Sequence, residues 1–225
     1  MPDNRQLPLD LALEPRFGEE DFLVSGSNAD AYAMIEAWPN WPGRVLALVG
    51  PPASGKSHLA AIWAARTGAG LLAARALAVA DVPALVAAGA VAIEDAGEGR
   101  LSEKELFHLL NLSQEREAFV LITSRRTPAD WSVATPDLAS RLRRCPVVTI
   151  AEPDDALIRT LLVKLFTDRQ IIVDTALIAY LALRIERSFA AVRDTVDRLD
   201  KEALARGKRL TRAIAASVLG HSDSA

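Results

Sequence analysis

Eight consecutive residues, Gly50-Pro51-Pro52-Ala53-Ser54-Gly55-Lys56-Ser57, carry the spacing G-x-x-x-x-G-K-S. Those types in that order suit one task, wrapping backbone N–H groups around a polyphosphate, because so close an approach tolerates only glycine or small side chains. Gly50 and Gly55 supply the freedom. Lys56 would reach the β- and γ-phosphates as a point charge, and Ser57 would offer its hydroxyl to Mg²⁺ at the first turn of a helix whose N-terminus favours anions. The candidate nucleotide-binding set is Gly50, Pro52, Ala53, Ser54, Gly55, Lys56, Ser57 and His58, and the expected ligand is a purine nucleotide.

A second group of residues can do chemistry beside a bound triphosphate. The apolar run Ala90-Val91-Ala92-Ile93 ends in Glu94-Asp95, and carboxylates at the C-terminal end of a buried strand are what a Mg²⁺ shell and a water-polarising base require. Glu94 is the metal candidate and Asp95 the catalytic one. Phe119-Val120-Leu121-Ile122-Thr123-Ser124 is a further buried strand, ending in hydroxyls that could orient a water or the γ-phosphate. His108 has no metal-ligand companions and reads as a surface histidine.

These residues need a scaffold, and the pattern supplies one. Val45-Leu46-Ala47-Leu48-Val49 has no polar alternation, as expected of a strand buried on both faces. Before it, Phe22 to Asn28 leads into an amphipathic helix over Ala29–Glu36 with a Ser27/Asn28 cap, ended by Pro39–Gly43. By position this segment, Val24 included, is placed to touch base and ribose. Beyond the phosphate loop the spacing predicts a helix from His58, a strand over Gly70–Ala74 and a short helix over Asp81–Ala87. Leu101–Gln114 reads as a helix with a Ser102/Glu105 capping box, Pro136–Arg144 as a short one, and Val147–Ile150 as the last strand.

From Glu152 the strands stop. Asp154–Arg169, Asp174–Ile185, Ser188–Arg206 and Thr211–Leu219 show helical spacing, with Asp174, Ser188 and Thr211 as caps and Gly207 as a stop. Arg193, about one and a half turns into the third, could reach back over the nucleotide. Arg143 and Arg144 read as a solvated face. So does Lys201–Arg212, which is basic but lacks aromatics. Before everything else, Gln6-Leu7-Pro8-Leu9-Asp10-Leu11 alternates and should be extended: an added edge strand, a peptide for a partner's groove, or a disordered tail.

Composition bounds the rest. The chain has 225 residues, 50% of them hydrophobic, and a net charge of −3, enough for one medium domain and a small appended one. That charge gives no global reason for direct nucleic-acid binding. Cys145 is alone and reads as a packed thiol, which fits a reducing cytoplasm. No apolar run approaches a membrane span and Met1–Arg5 does not open a signal segment, so a soluble cytoplasmic protein with no membrane partner is expected.

Strands alternating with helices around a phosphate loop, followed by a helical lid, resemble the AAA+ ATPase family. The resemblance is closest to the DnaA group, from about Phe17 to Leu219. Phe22–Asn28 opens the module, and the phosphate loop, Glu94-Asp95, Leu121–Ser124, Leu138-Ala139-Ser140-Arg141-Leu142 and Phe189–Asp194 come after it in that family's order. The resemblance implies that Thr123 is sensor 1, Arg193 sensor 2 and Arg141 an arginine finger. A DNA-binding domain after the lid is not expected, and the N-terminal peptide is similar to a sliding-clamp motif, as in Hda-type DnaA homologues.

The fold implied by the resemblance is an α/β AAA+ module with a central parallel sheet and a small all-α lid. The division would be 1–13 tail, 14–152 nucleotide-binding domain and 153–225 lid. Gln6, Leu7, Leu9 and Leu11 would bind the beta-subunit sliding clamp of DNA polymerase, Arg141 would act in trans on ATP held by DnaA, and DNA would be met only indirectly. A homodimer is left open. Glu94 stands where the family usually has Asp, and Asp95 where the longer acid would be, so weak hydrolysis and ADP as resident nucleotide are expected. Arg125 stands where the group tends to have an acid, leaving Thr123 assigned by position. The rival reading is an AAA+ ATPase of the helicase-loader or transposition-helper kind, with turnover stimulated by single-stranded DNA. A small-molecule kinase is a third.

Overall fold

A computed structural model of the chain describes residues 18–97, 101–206 and 209–220. The tail bearing Gln6, Leu7, Leu9 and Leu11, and the helix stop at Gly207, lie outside the described residues. The described chain divides into two units, 18–154 with 188–190, and 155–187 with 191–206 and 209–220.

In the first unit, α1 (Ala29–Glu36) leads to β1 (Val45–Val49), which runs through the phosphate loop into α2 (Lys56–Thr67). Then come β2 (Gly70–Ala73), α3 (Val82–Ala87), β3 (Ala90–Ala96), α4 (Glu103–Glu115), β4 (Phe119–Ser124), α5 (Pro136–Arg144) and β5 (Val147–Thr149). The strands form one parallel sheet in the order β2-β3-β4-β1-β5. β1 lies between β4 and β5, neither adjacent to it in sequence, and its apolar run is explained by that central place: Leu46, Ala47 and Leu48 are buried to 1% exposure or less.

Register sets the site. Val49 pairs with Ser124 and Thr149, and Ala96 pairs with Ser124, so β1, β3 and β4 end at one level and deliver Gly50, Glu94, Asp95 and Thr123 to one rim. Open parallel sheets bind ligands at that edge. β3 carries Glu94 and Asp95 at its C-terminal end as the sequence suggested, and runs one residue further. It continues to Ala96 through a bulge between Ile93 and Ala96, with Asp95 left-handed at φ 55°.

Two expected caps are replaced by other bonds. Asn28 makes no side-chain cap to α1; its Nδ2 donates to Leu23 O at 2.8 Å and its Oδ1 accepts from Ser25 N at 2.8 Å, bracing the loop ahead of the helix. The Ser102/Glu105 capping box is absent as well, because Ser102 caps nothing with its side chain. Glu103 instead accepts from Ala134 N and Thr135 N at 2.9 Å each and from Thr135 Oγ1 at 2.8 Å.

The second unit holds α6 (Asp155–Asp168), α7 (Thr175–Ala182), most of α8 (Phe189–Arg206) and α9 (Arg212–Gly220). Asp174 caps α7 by accepting from Leu177 N at 2.6 Å, and α7 ends at Ala182, a turn earlier than its spacing suggested. Ile158, Leu162, Phe166, Leu181, Val192, Val196 and Leu199 make its core. Among the described residues no helix is long and apolar enough to cross a membrane.

Candidate functional site

The loop leaving β1 is shaped by backbone demands that only its own residues meet. Gly50 donates to Ser124 O at 3.1 Å, and a Cβ there would stand 2.8 Å from Ser54 Oγ and 3.0–3.1 Å from Ile150, so no larger residue fits without moving Ile150, the residue after β5. Ala53 and Gly55 take positive φ, 58° and 95°, turning the chain into α2. Lys56 is buried, its Nζ donating to Gly50 O at 2.9 Å and Pro51 O at 2.7 Å, which holds the loop closed around its own ammonium. Ser57 is exposed at the start of α2. Ser54 Oγ is buried with no partner.

The segment before α1 lies directly on this loop. Phe22 stacks on Tyr32 with centroids 5.7 Å apart, and its Cε2 sits 3.1 Å from where a Gly55 Cβ would be. His58 turns to the same segment, Nε2 2.8 Å from Gly18 O and its ring edge-on to Phe22 at 5.3 Å. Val24, 52% exposed, presents an apolar side chain on the strip that Asn28 braces. Phe22 was not singled out from sequence; an aromatic two residues before Val24 is its only local signal.

On the rim beside the loop, Glu94 is half-buried with Oε1 out of solvent and without a donor, whereas Asp95 is exposed. A carboxylate oxygen in that state is costly unless a donor or cation joins it, so Glu94 fits the role of a ligand to a divalent ion. Thr123 is fully buried, and its Oγ1 accepts from Asp95 N at 3.1 Å. That bond steadies the left-handed residue of the bulge. Just beyond, Gly97 at φ 77° lies under Trp131, whose Nε1 would be 2.4 Å from a Cβ there and donates to Arg126 O at 3.1 Å. Neither Gly97 nor Trp131 carried a sequence signal.

Arg141 is not part of this rim. Its guanidinium lies 5.3 Å from the Phe107 ring centroid and 3.5 Å from Gln114 Oε1, and it borders a cleft of about 480 Å³ with Gly43, Arg44, Gln114, Arg144 and Cys145. Gly43 and Arg44 precede β1, so this cleft opens where the strand begins and the phosphate loop where it ends. Five residues at about 3.3 Å each separate the two, roughly 16 Å. Arg193 belongs to the helical unit, exposed on α8. Exposed His108 has no ligand set around it, and among the described residues no group of three or more His, Cys, Asp or Glu side chains is gathered as a metal site.

Glu103 fixes the approach to α5. The Ala134 N–H foremost, then the hydroxyl and N–H of Thr135, hold its carboxyl below the ordinary 4.5. A depressed folded value means the tether is complete above pH 4.5 and is lost as pH falls through the folded value. Glu103→Gln is expected to speed amide exchange at Ala134 and Thr135 at neutral pH, and the wild type to lose that protection in acid; equal exchange in both would mean no tether.

Cys145 is confined by burial, which pushes its thiol up to about 11, a backbone hydrogen bond pulling weakly the other way. It stays protonated until the pH approaches that value. Alkylation by iodoacetamide at pH 8 is expected to be on the order of 10² slower in folded than in denatured protein, from the thiolate fractions implied by the folded value and an unperturbed pKa of about 8.5. Equal rates would show the thiol exposed.

No protein-family model and no curated protein sequence matches the chain. Among solved structures it is similar to domain III of the replication initiation protein DnaA from Thermotoga maritima, 19% identical over 93% of this chain and 98% of that one, with a TM-score of 0.76. It is similar to AMPPCP-bound DnaA from Aquifex aeolicus, 20% identical over 86% of this chain and 68% of that one, TM-score 0.66. A Thermotoga maritima RuvB mutant is 15% identical over 91% of this chain and 69% of that one, TM-score 0.64. The fold is that of an AAA+ P-loop α/β module with C-terminal helices, in a DnaA-like form.

Proposed function

We propose that this DnaA-like AAA+ chain binds ADP or ATP and regulates replication initiation as an Hda-type protein does, by lending Arg141 to ATP held on DnaA. The observation that carries the reading is the separation within one unit: the phosphate loop and the acids share the rim where β1 ends, while Arg141 stands where β1 begins. An arginine so placed has no use for its own nucleotide. It suits a neighbour's.

In this reading Gly50–Ser57 hold the phosphates through backbone N–H groups, Val24 meets the base, and Lys56 exchanges the carbonyls of Gly50 and Pro51 for phosphate oxygens. Mg²⁺, when bound, supplies charge neutralisation of the phosphates. Ser57 and Glu94 would hold it, with Asp95 near the attacking water and Thr123 keeping the Asp95 backbone in place. Arg193 would face the nucleotide from the helical domain. Because Glu94 and Asp95 exchange the usual lengths of the two acids, turnover of the chain's own nucleotide is slow and ADP stays bound.

Gln6, Leu7, Leu9 and Leu11 would dock on the DNA-loaded sliding clamp, bringing Arg141 to DnaA. There its guanidinium stabilises charge on the transferring γ-phosphoryl group. Hydrolysis on DnaA, measured with clamp and DNA in the presence and absence of this protein, tests the whole reading. Acceleration that needs all three components supports it; the same rate without the protein rejects it.

A further inference from the structure

The locally basic stretch at the end of the chain reads in sequence as a solvated face because no aromatic residue interrupts it. The fold supplies the aromatic from another helix. Tyr180, on α7, stacks with two guanidiniums: Arg184 Cζ is 3.9 Å and Arg212 Cζ 4.6 Å from its ring centroid. Arg184 comes just after α7 and Arg212 opens α9, so residues 28 apart in the chain become neighbours on one ring. Both arginines are exposed, Tyr180 is half-buried, and Leu183 beside them is 75% exposed.

This pair combines a shared ring with a missing counter-charge; among the described residues, Arg159, Arg193, Lys201 and Arg209 of the same unit also lack a carboxylate partner but share no ring. Elsewhere in the helical unit Arg187 meets Asp155 at 3.0 Å, Arg198 meets Asp194 at 3.8 Å, Lys164 meets Asp168 at 3.3 Å, and Arg169 bonds to Asp197 and Asp200. Among the described residues neither Arg184 nor Arg212 has a carboxylate partner. Two like charges gathered on one platform repel, and stacking has already taken up much of the side-chain freedom that capturing an anion would cost. A guanidinium fork fits phosphate oxygens, and two forks ordered on one ring fit a run of phosphates better than one isolated carboxylate.

We propose that Arg184 and Arg212, ordered by Tyr180, form a contact for the phosphodiester backbone of DNA on the helical domain. The pair offers no base-reading group, so the contact is sequence-independent. With a chain of net charge −3 around it, it is also local and strongly salt-dependent. It goes beyond the arginine-finger reading and does not depend on it.

The test is fluorescence anisotropy of the full chain with a labelled 30-mer, as duplex and as one of its strands, titrated over salt without clamp or initiator. Arg184→Gln and Arg212→Gln are each expected to lower the slope of log affinity against log salt by about one on duplex, a little less on the single strand. The larger loss of affinity shows which form is the ligand. Tyr180→Leu should weaken binding while Tyr180→Phe leaves it unchanged, a difference that a merely positive surface would not produce. No binding at low salt, equal slopes for wild type and the double arginine variant, or equal behaviour of the two Tyr180 variants would overturn the proposal. Either of the first two results would leave an acidic protein surface as the occupant. Helical circular dichroism checks each variant, and the exposed arginine positions decide the matter if Tyr180→Leu does not fold.

Discussion

With Arg141 replaced by alanine, ATP hydrolysis on DnaA in the presence of clamp and DNA is expected to fall back to its unstimulated rate. Arginines supplied in trans to a γ-phosphoryl group contribute about 10³–10⁵ in rate, and the whole of that stimulation should go. The protein itself should hardly notice. Arg141 gives up a weak 3.5 Å bond to Gln114 and a cation–π contact with Phe107 at 5.3 Å, worth about 0.5–1 kcal/mol at a half-exposed site, and α5 keeps its buried anchors Leu138 and Leu142. Arg141→Lys should do little better than alanine, since an ammonium lacks the fork. Stimulation that survives either change would take Arg141 out of the reaction.

Lys56→Ala is expected to abolish measurable ADP binding. Its ammonium now donates two bonds to loop carbonyls, and transferring both to phosphate oxygens makes two charge-assisted bonds at about 1.5–3 kcal/mol each, an affinity loss on the order of 10²–10⁴. The variant also leaves the carbonyls of Gly50 and Pro51 without that donor, so the empty loop should loosen. Calorimetric titration with ADP and Mg²⁺ reads the loss directly. Wild-type affinity in the variant would mean that Gly50–Ser57 is a structural turn and no ligand site.

The phosphate loop was legible because everything it needs is local. Two glycines, a lysine and a serine at fixed spacing, with an apolar strand before and a helix after, leave few other uses for the sequence. Strand positions were legible for the same reason, buried parallel strands being continuous apolar runs. Partners set by topology escaped. Glu103 serves Ala134 and Thr135 because α4 passes the start of α5, and nothing in Ser102–Glu105 announces that. Asn28 braces Leu23 and Ser25 although its sequence context is that of a helix cap. The distance of Arg141 from its own loop depends on strand order, which places β1 between β4 and β5. Tyr180 stacked with Arg184 and Arg212 is a tertiary event that no window of sequence contains.

The bulge at Asp95 carries a consequence for how this chain can change. A left-handed aspartate is tolerated rather than preferred, and glycine would hold the same turn with about 1 kcal/mol less strain. Selection for heat resistance alone should therefore drift toward glycine at position 95 and discard the carboxylate, whereas selection that keeps aspartate there accepts a softer protein for the sake of an acid on the rim.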